Sequence, residues 1–327
     1  MTKLSPTFRY GLRVTLTPWL VFVFGLLFDW PLSFVGAVFT SLFILAKQPT
    51  SQGYGFSLVL VAYVYMLTAW FVSVLLRPYP AVYLLVVLIA VVLSYYVLVT
   101  KKDILVVVMA LLGALLIPLQ AKVNPDVAWG LAIWLPNNLF IALLASWAMF
   151  MVIPPEQEHK STPSPAESFD PKLRWLRLSI VVLPFVMFAF ITDRIEAFTL
   201  TYLAVQVTQF AASSSNGPSM IRAAIIGNIL GGLLAVVLYE LVVIAPFFPF
   251  LVMGLLLSYA YLTNQMLTGN ATAITAMTAF TVVCGVSFGP LMNDAEGKIL
   301  LRMLQIAFSM SYIFIAMWLV DKFLPEK

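Results

Sequence analysis

Arg9 and Arg13 lie four residues apart at the start of one apolar run, and Arg174 and Arg177 lie three apart at the start of another. Either spacing puts both side chains on one helix face. A guanidinium in apolar surroundings offers a fork of N–H donors that matches carboxylate and phosphate, so the chemistry on offer is anion recognition. The competing reading is anchoring to anionic headgroups. Arg222 opens a later apolar run, where a cation either faces a cavity or snorkels to the surface. Gln206, Gln209, Asn216 and Asn228 fall in the same region. Buried amides need partners, and a substrate carboxylate or ring hydroxyl serves as well as a neighbouring helix. The candidate substrate-binding residues are therefore Arg13, Arg177, Arg222, Gln206, Gln209, Asn216 and Asn228. Asp29 and Asp193 are the best-placed carboxylates for proton coupling. Both fall where an apolar run gives way to a polar turn, so a surface role competes.

The elements that position these residues follow from composition. Of 327 residues, 62% are hydrophobic and 10% charged, with a mean hydropathy of +1.00. Soluble domains carry about 25% charged residues, which places this chain in a bilayer. Apolar runs punctuated by charge, proline and glycine give about twelve helical spans. The first is expected at Gly11–Phe28 and a short second at Leu32–Ala46. The eighth is expected at Ala197–Ala212, the tenth at Phe247–Thr263, and the twelfth at Ile299–Val320. A polar loop, Thr263-Asn264-Gln265, is expected after the tenth. Gly227 and Gly231 form a small-xxx-small pair suited to close helix contact. Thr272, Thr275, Thr278 and Thr281 recur every third residue, a pattern that more often serves back-bonding to helix carbonyls than a pore. The polar segment 154–172 reads as a cytoplasmic linker between a first six-helix membrane domain, 1–153, and a second, 173–327.

The two domains repeat one another. Arg13 and Arg177, Asp29 and Asp193, and Gly53 and Gly217 are each 164 positions apart. In each half the Arg starts an odd-numbered span, the Asp closes it, and the Gly follows the turn after the next span. Six spans per half make both halves enter from the same side, so the repeat is parallel, about an axis along the membrane normal. The expected fold class is an all-α integral membrane protein of two parallel six-helix repeats. The halves also differ: Leu58, Leu42 and Leu45 in the first stand where Arg222, Gln206 and Gln209 stand in the second. These departures mark the second half as the expected seat of function.

Charge sets the expected orientation. With the N-terminus inside, only Arg77, Lys122, Arg194, Lys298 and Arg302 of the 18 Lys and Arg residues fall outside. The excess of positive charge inside puts both termini and the linker in the cytoplasm. The first apolar run lacks a small-residue cleavage site and reads as a retained helix. The net charge of +4 follows this topology, and no basic stripe interleaved with aromatics points to nucleic acid. Cys284 is the single cysteine and His159, in the linker, the single histidine. A cysteine-based metal site is excluded. Phosphate-binding loops, nucleophile elbows and His-Glu-x-x-His are absent, so neither enzyme activity nor a cofactor is expected.

The Arg-led first helix (Phe8-Arg9-Tyr10-Gly11-Leu12-Arg13), the short second helix, the polar turn with glycine and the Arg-led, Gly-rich span from Arg222 to Gly232 form a block that appears twice, save that the first half has no counterpart of Arg222. In this the chain resembles the fusaric acid resistance and aromatic acid exporter superfamily over nearly its full length. The resemblance is to a compact, membrane-only branch: a short linker replaces the cytosolic domains of many relatives. Gly227-Asn228 stands where the family has Gly-Thr, with Arg222 five residues ahead of the Gly instead of three. What the resemblance implies is a bacterial inner-membrane efflux component for aromatic or other hydrophobic organic acids. It implies a periplasmic adaptor of the membrane-fusion type and proton-gradient drive. A homo-oligomer is a further partner class. The alternatives from other classes are a passive organic-anion channel and a non-transport scaffold. Reporter fusions test the orientation: a fluorescent protein at residue 327, or inserted in 154–172, should glow, and alkaline phosphatase there should be inactive. The opposite pattern overturns it.

Overall fold

Proline and glycine write the helix ends of this chain. The computed structural model describes residues 5–46, 48–101, 103–155, 171–192, 217–288, 308, 311–313, 315–320 and 322–324. Among these are eleven α-helices: α1 (Pro6–Leu27), α2 (Ser33–Leu45), α3 (Gln52–Leu76), α4 (Pro80–Lys101), α5 (Ile104–Leu111), α6 (Ile117–Val123), α7 (Pro125–Val152), α8 (Pro171–Thr192), α9 (Gly217–Ile244), α10 (Phe248–Leu267) and α11 (Ala273–Phe288). A π-helical turn, Leu112–Leu116, joins α5 to α6 into one span. Eight helices are long and apolar enough to cross a bilayer, and α2 and α11 are shorter apolar helices. This is the pattern of a multi-pass membrane protein. The expected eighth span lies outside the described residues, and the twelfth is described only in part.

Four helices begin at a proline: α1, α4, α7 and α8. Proline suits the first helical position because its missing N–H would have no intrahelical partner there. In α1 the hydroxyl of Ser5 also accepts from the Phe8 amide at 3.3 Å, capping a free donor. Hydropathy alone starts the first span at Gly11. The cap and proline start the helix at Pro6 and draw Arg9 inside it.

Two helices close in the same way. At the end of α1, Asp29 takes the left-handed conformation with φ 46°, and the Trp30 amide bonds the Gly25 carbonyl at 2.8 Å. At the end of α10, Gly269 has φ 87°, the Asn270 amide bonds Gln265 at 3.1 Å and the Gly269 amide bonds Met266 at 3.0 Å. Both are left-handed C-terminal stops that satisfy the last carbonyls. The second corrects the expected Thr263–Gln265 loop: α10 runs on to Leu267, and Thr263 is buried within it.

The chain folds as two compact units, each drawing on both sides of segment 154–172. Unit one comprises Met1–Phe56, Asn137–Ser161 and Arg222–Met303; unit two comprises Ser57–Pro136, Thr162–Ile221 and Leu304–Lys327. In unit one α1 packs on α2 and α10, while α11 packs on α2 and α10. In unit two α4 packs on α8 and on α5 with its π turn. Glycine sets the closest approach. A Cβ at Gly231 would overlap the Ala276 carbonyl, and one at Gly227 would lie 2.7 Å from the Thr272 carbonyl, so α9 rests its backbone on α11 as the small-xxx-small spacing predicts. By contrast, nothing lies within 4 Å of a Cβ at Gly53. Gly231→Leu should therefore cost about 2–3 kcal/mol by overpacking. Gly53→Ala should be neutral or slightly stabilising. Thermal unfolding in detergent reads both, and equal effects would contradict the packing.

Candidate functional site

Arg13 is 4% exposed. Its place in unit one is defined by the C-terminal part of α7. A guanidinium nitrogen (Nη1) donates to the Ile153 carbonyl at 3.1 Å, one of the carbonyls left over where α7 ends. The negative end of the helix dipole favours a cation there. The guanidinium carbon lies 5.1 Å from the Phe150 ring centre and 5.9 Å from that of Tyr10, within cation–π range. No carboxylate pairs with Arg13 among the described residues, and its Nε has no hydrogen-bond partner there. The site thus holds a desolvated cation by aromatic faces and one carbonyl, with donor capacity to spare.

The same stretch of α7 carries the other polar fastenings of unit one. Asn138, fully buried, donates its amide to the Pro31 carbonyl at 3.0 Å. The absence of a side chain on Gly36 makes room for its oxygen. The Trp147 indole donates to the Thr50 carbonyl at 2.8 Å, and Gly55 admits its ring. On the opposite side of the unit, the Trp19 indole ties α1 to the Val252 carbonyl of α10 at 3.0 Å.

The remaining sequence candidates have separate settings. Arg177 is buried in α8, in unit two. Arg222 is exposed on α9. Asn228 is buried, and its amide donates to the Ala224 carbonyl of its own helix at 2.9 Å. Thr278 and Thr281 return their hydroxyls to Ile274 and Met277 in the same manner. Asp29 is exposed at the left-handed stop of α1. Gln206, Gln209, Asn216 and Asp193 lie outside the described residues. Among the described residues no cluster of metal-ligating side chains occurs.

Two features escaped sequence reasoning. Asn138 sits inside an apolar helix and shows its role only through the turn it reaches. The other had a signal: Leu93-Ser94-Tyr95 recurs as Leu257-Ser258-Tyr259, again 164 positions on. Tyr95 and Tyr259 are both fully buried. Tyr259 shares a 2.7 Å hydrogen bond with the Thr281 hydroxyl, which fastens α10 to α11. Unit two also holds an apolar cavity of about 460 Å³ among α3, α4 and the π turn, with no charged residue in its wall.

Comparison with known proteins finds one likeness. Residues 11–153 match the family described as "protein of unknown function (DUF2955)". The match covers the first expected six-helix domain from Gly11 to its end. No curated protein and no solved structure matches the chain.

The Asp29 geometry separates a stop role from a titrating one. A left-handed backbone costs a side-chain-bearing residue about 1–2 kcal/mol. Asp29→Gly should hold or raise the melting temperature, and Asp29→Val should lower it. If Asp29→Gly abolishes transport at unchanged stability, the carboxylate itself is at work.

Proposed function

We propose that this chain is the membrane component of an exporter for organic anions, with aromatic or other hydrophobic acids as its substrates. The observation that carries the reading is Arg13: a buried cation in a membrane-crossing helix, held by a carbonyl and two rings, with its Nε unused. Intramembrane cations are expensive and mark substrate paths. An acid supplies the counter-charge that the described residues do not. Aromatic faces beside the guanidinium suit a substrate with a ring.

The internal repeat supports the architecture that this reading needs. Span one packs on span ten as α1 on α10, and span seven packs on span four as α8 on α4. These pairings are equivalent under a repeat that relates span one to seven and four to ten. Arg177 is buried in α8 as Arg13 is in α1. Two parallel six-helix repeats, 1–153 and 173–327, account for both. Arg222, exposed at the start of its span, would collect anions, and Asn228 with Gln206, Gln209 and Asn216 would orient them. The resemblance to the fusaric acid resistance and aromatic acid exporter superfamily supports the substrate class. A periplasmic adaptor, a bacterial inner membrane and cytoplasmic termini belong to the same proposal.

A passive organic-anion channel is the second reading, and one observation favours it. The described acidic residues Asp29, Asp103, Asp126 and Glu240 lie at turns, at helix starts or on an exposed face, not buried at mid-span where a coupling carboxylate works best. A proton-coupled exporter would have to draw on Asp29 and Asp193. Flux of radiolabelled benzoate in inverted vesicles tests both readings. Arg13→Gln should cut flux at least tenfold at equal abundance of folded protein, with partial recovery in Arg13→Lys. Undiminished flux overturns the Arg13 assignment. Collapse of the proton gradient should stop an exporter and leave a channel conducting.

A further inference from the structure

The cavity in unit two has a charged neighbour. A second hollow, about 500 Å³, is lined by Tyr96, Val99 and Thr100 of α4 and by Lys172, Trp175 and Leu176 of α8. Tyr96 stands in the wall of both hollows. One end is therefore apolar, with Val72, Val86, Val87, Ala90, Ala110 and Ala114 among its lining. The other carries an ammonium group and an indole.

Chemistry divides along the same line. Three of the hydroxyls in the apolar wall are spent on main-chain carbonyls, and those of Tyr65, Thr68 and Tyr96 are the others there. Ser73 donates to Ala69 at 2.6 Å, Ser94 to Ala90 at 2.8 Å, and Tyr83 to Pro118 at 2.6 Å. The wall thus presents mostly hydrocarbon. At the other end the Trp175 indole donates to the Val92 carbonyl at 2.9 Å, and its ring meets Tyr96 edge-on with centres 6.1 Å apart. Indole and phenol rings at the end of a span, beside a lysine, are the residues that sit at lipid headgroup depth.

The repeat shows that this space is specific to unit two. At the 164 spacing, Trp175 corresponds to Gly11, Tyr96 to Ala260 and Lys172 to Phe8. Gly11 packs directly on α10: a Cβ there would lie 3.0 Å from Leu267 and 3.8 Å from Thr263. Where unit one has a glycine packed at the helix crossing and an exposed alanine at the position of Tyr96, unit two has two large rings in contact. The π turn belongs to the same difference. Gly113 and Ala114 of that turn line the cavity, whereas α11, at the corresponding span, is α-helical throughout. A π turn inside a helix is a frequent mark of a functional site.

We infer that these neighbouring hollows bind one anionic phospholipid of the bilayer, its phosphate at Lys172 and one acyl chain running along α4 past Tyr96 into the apolar cavity. A phospholipid fits better than a soluble acid because the long cavity wall is mostly apolar and holds no cation to meet an anion. The cation stands only at the mouth. The site does not depend on the transport reading, since Arg13 belongs to unit one.

Native mass spectrometry of the purified chain, exchanged into micelles with equal phosphatidylglycerol and phosphatidylcholine, tests the inference. The wild type should retain phosphatidylglycerol in preference. Lys172→Gln, a surface change that leaves folding intact, should reduce that preference about fivefold, the effect of one basic residue at an anionic surface. Ala90→Trp should fill the cavity and reduce retention of both lipids. Equal retention of the two lipids by the wild type overturns the inference, as does unchanged retention in both variants. So does displacement of the lipid by millimolar benzoate, which would assign the hollows to a soluble acid.

Discussion

The guanidinium of Arg13 against the last carbonyl of α7 is the contact on which the rest of unit one turns. In hydrocarbon an unpartnered donor costs several kcal/mol, and acidic side chains are scarce in this chain. The acceptors that remain are main-chain carbonyls. Arg13 takes Ile153, Asn138 takes Pro31 and Trp147 takes Thr50, so three side-chain donors bind α7 to α1 and to the turns that precede α2 and α3. Unit two uses the same currency. Lys122 donates to Phe190 at 2.8 Å with its ammonium 4.8 Å from that ring, and Trp70 donates to Pro125 at 3.2 Å. Helix ends and turns serve as the polar glue that ion pairs supply elsewhere. A cation held this way keeps its charge uncancelled, which is the property an anion path needs.

How much of this could be read in the sequence depends on the range of the contact. The membrane class, the short α2, the Gly227–Gly231 approach and the back-bonding threonines were legible because each follows from spacing along one helix. The start of the first helix was misplaced by about a turn because hydropathy ignores the proline and cap that precede an apolar run, as at Pro6. The Thr263–Gln265 stretch looked like a loop by polarity. Gly269, four residues later, is the residue whose backbone freedom ends that helix. The partners of Arg13 were not legible at all, since Ile153 lies 140 positions away. Tyr95 and Tyr259 carried a readable signal in the repeated Leu-Ser-Tyr, hidden by the apolar sequence around it.

The proposed repeat gives the differences between the units their meaning. Each unit holds a matching buried arginine, Arg13 or Arg177, and a matching buried tyrosine, Tyr259 or Tyr95. Unit one then closes its α1–α10 crossing with Gly11 against Leu267 and Thr263. Unit two props the matching α8–α4 crossing with Trp175 and Tyr96 and inserts a π turn. Departures of this kind cost packing, so they are expected where a unit makes room for something other than itself. The sequence had directed attention to the second half through Arg222 and the amides. The structure adds the partners of the first-half Arg13 and a unit-two cavity that hydropathy could not separate from ordinary core.

The central claim is that Arg13 retains capacity for an anion beyond its structural contacts. Isothermal titration of the purified chain with an aromatic acid such as benzoate measures this directly. The account predicts saturable binding to the wild type at ordinary ionic strength. It predicts loss of at least tenfold in affinity in Arg13→Gln, measured on folded protein below a melting temperature lowered by loss of the Ile153 bond, and partial recovery in Arg13→Lys. Binding of equal strength in all three would contradict the account and leave Arg13 as a fastening for α7 alone.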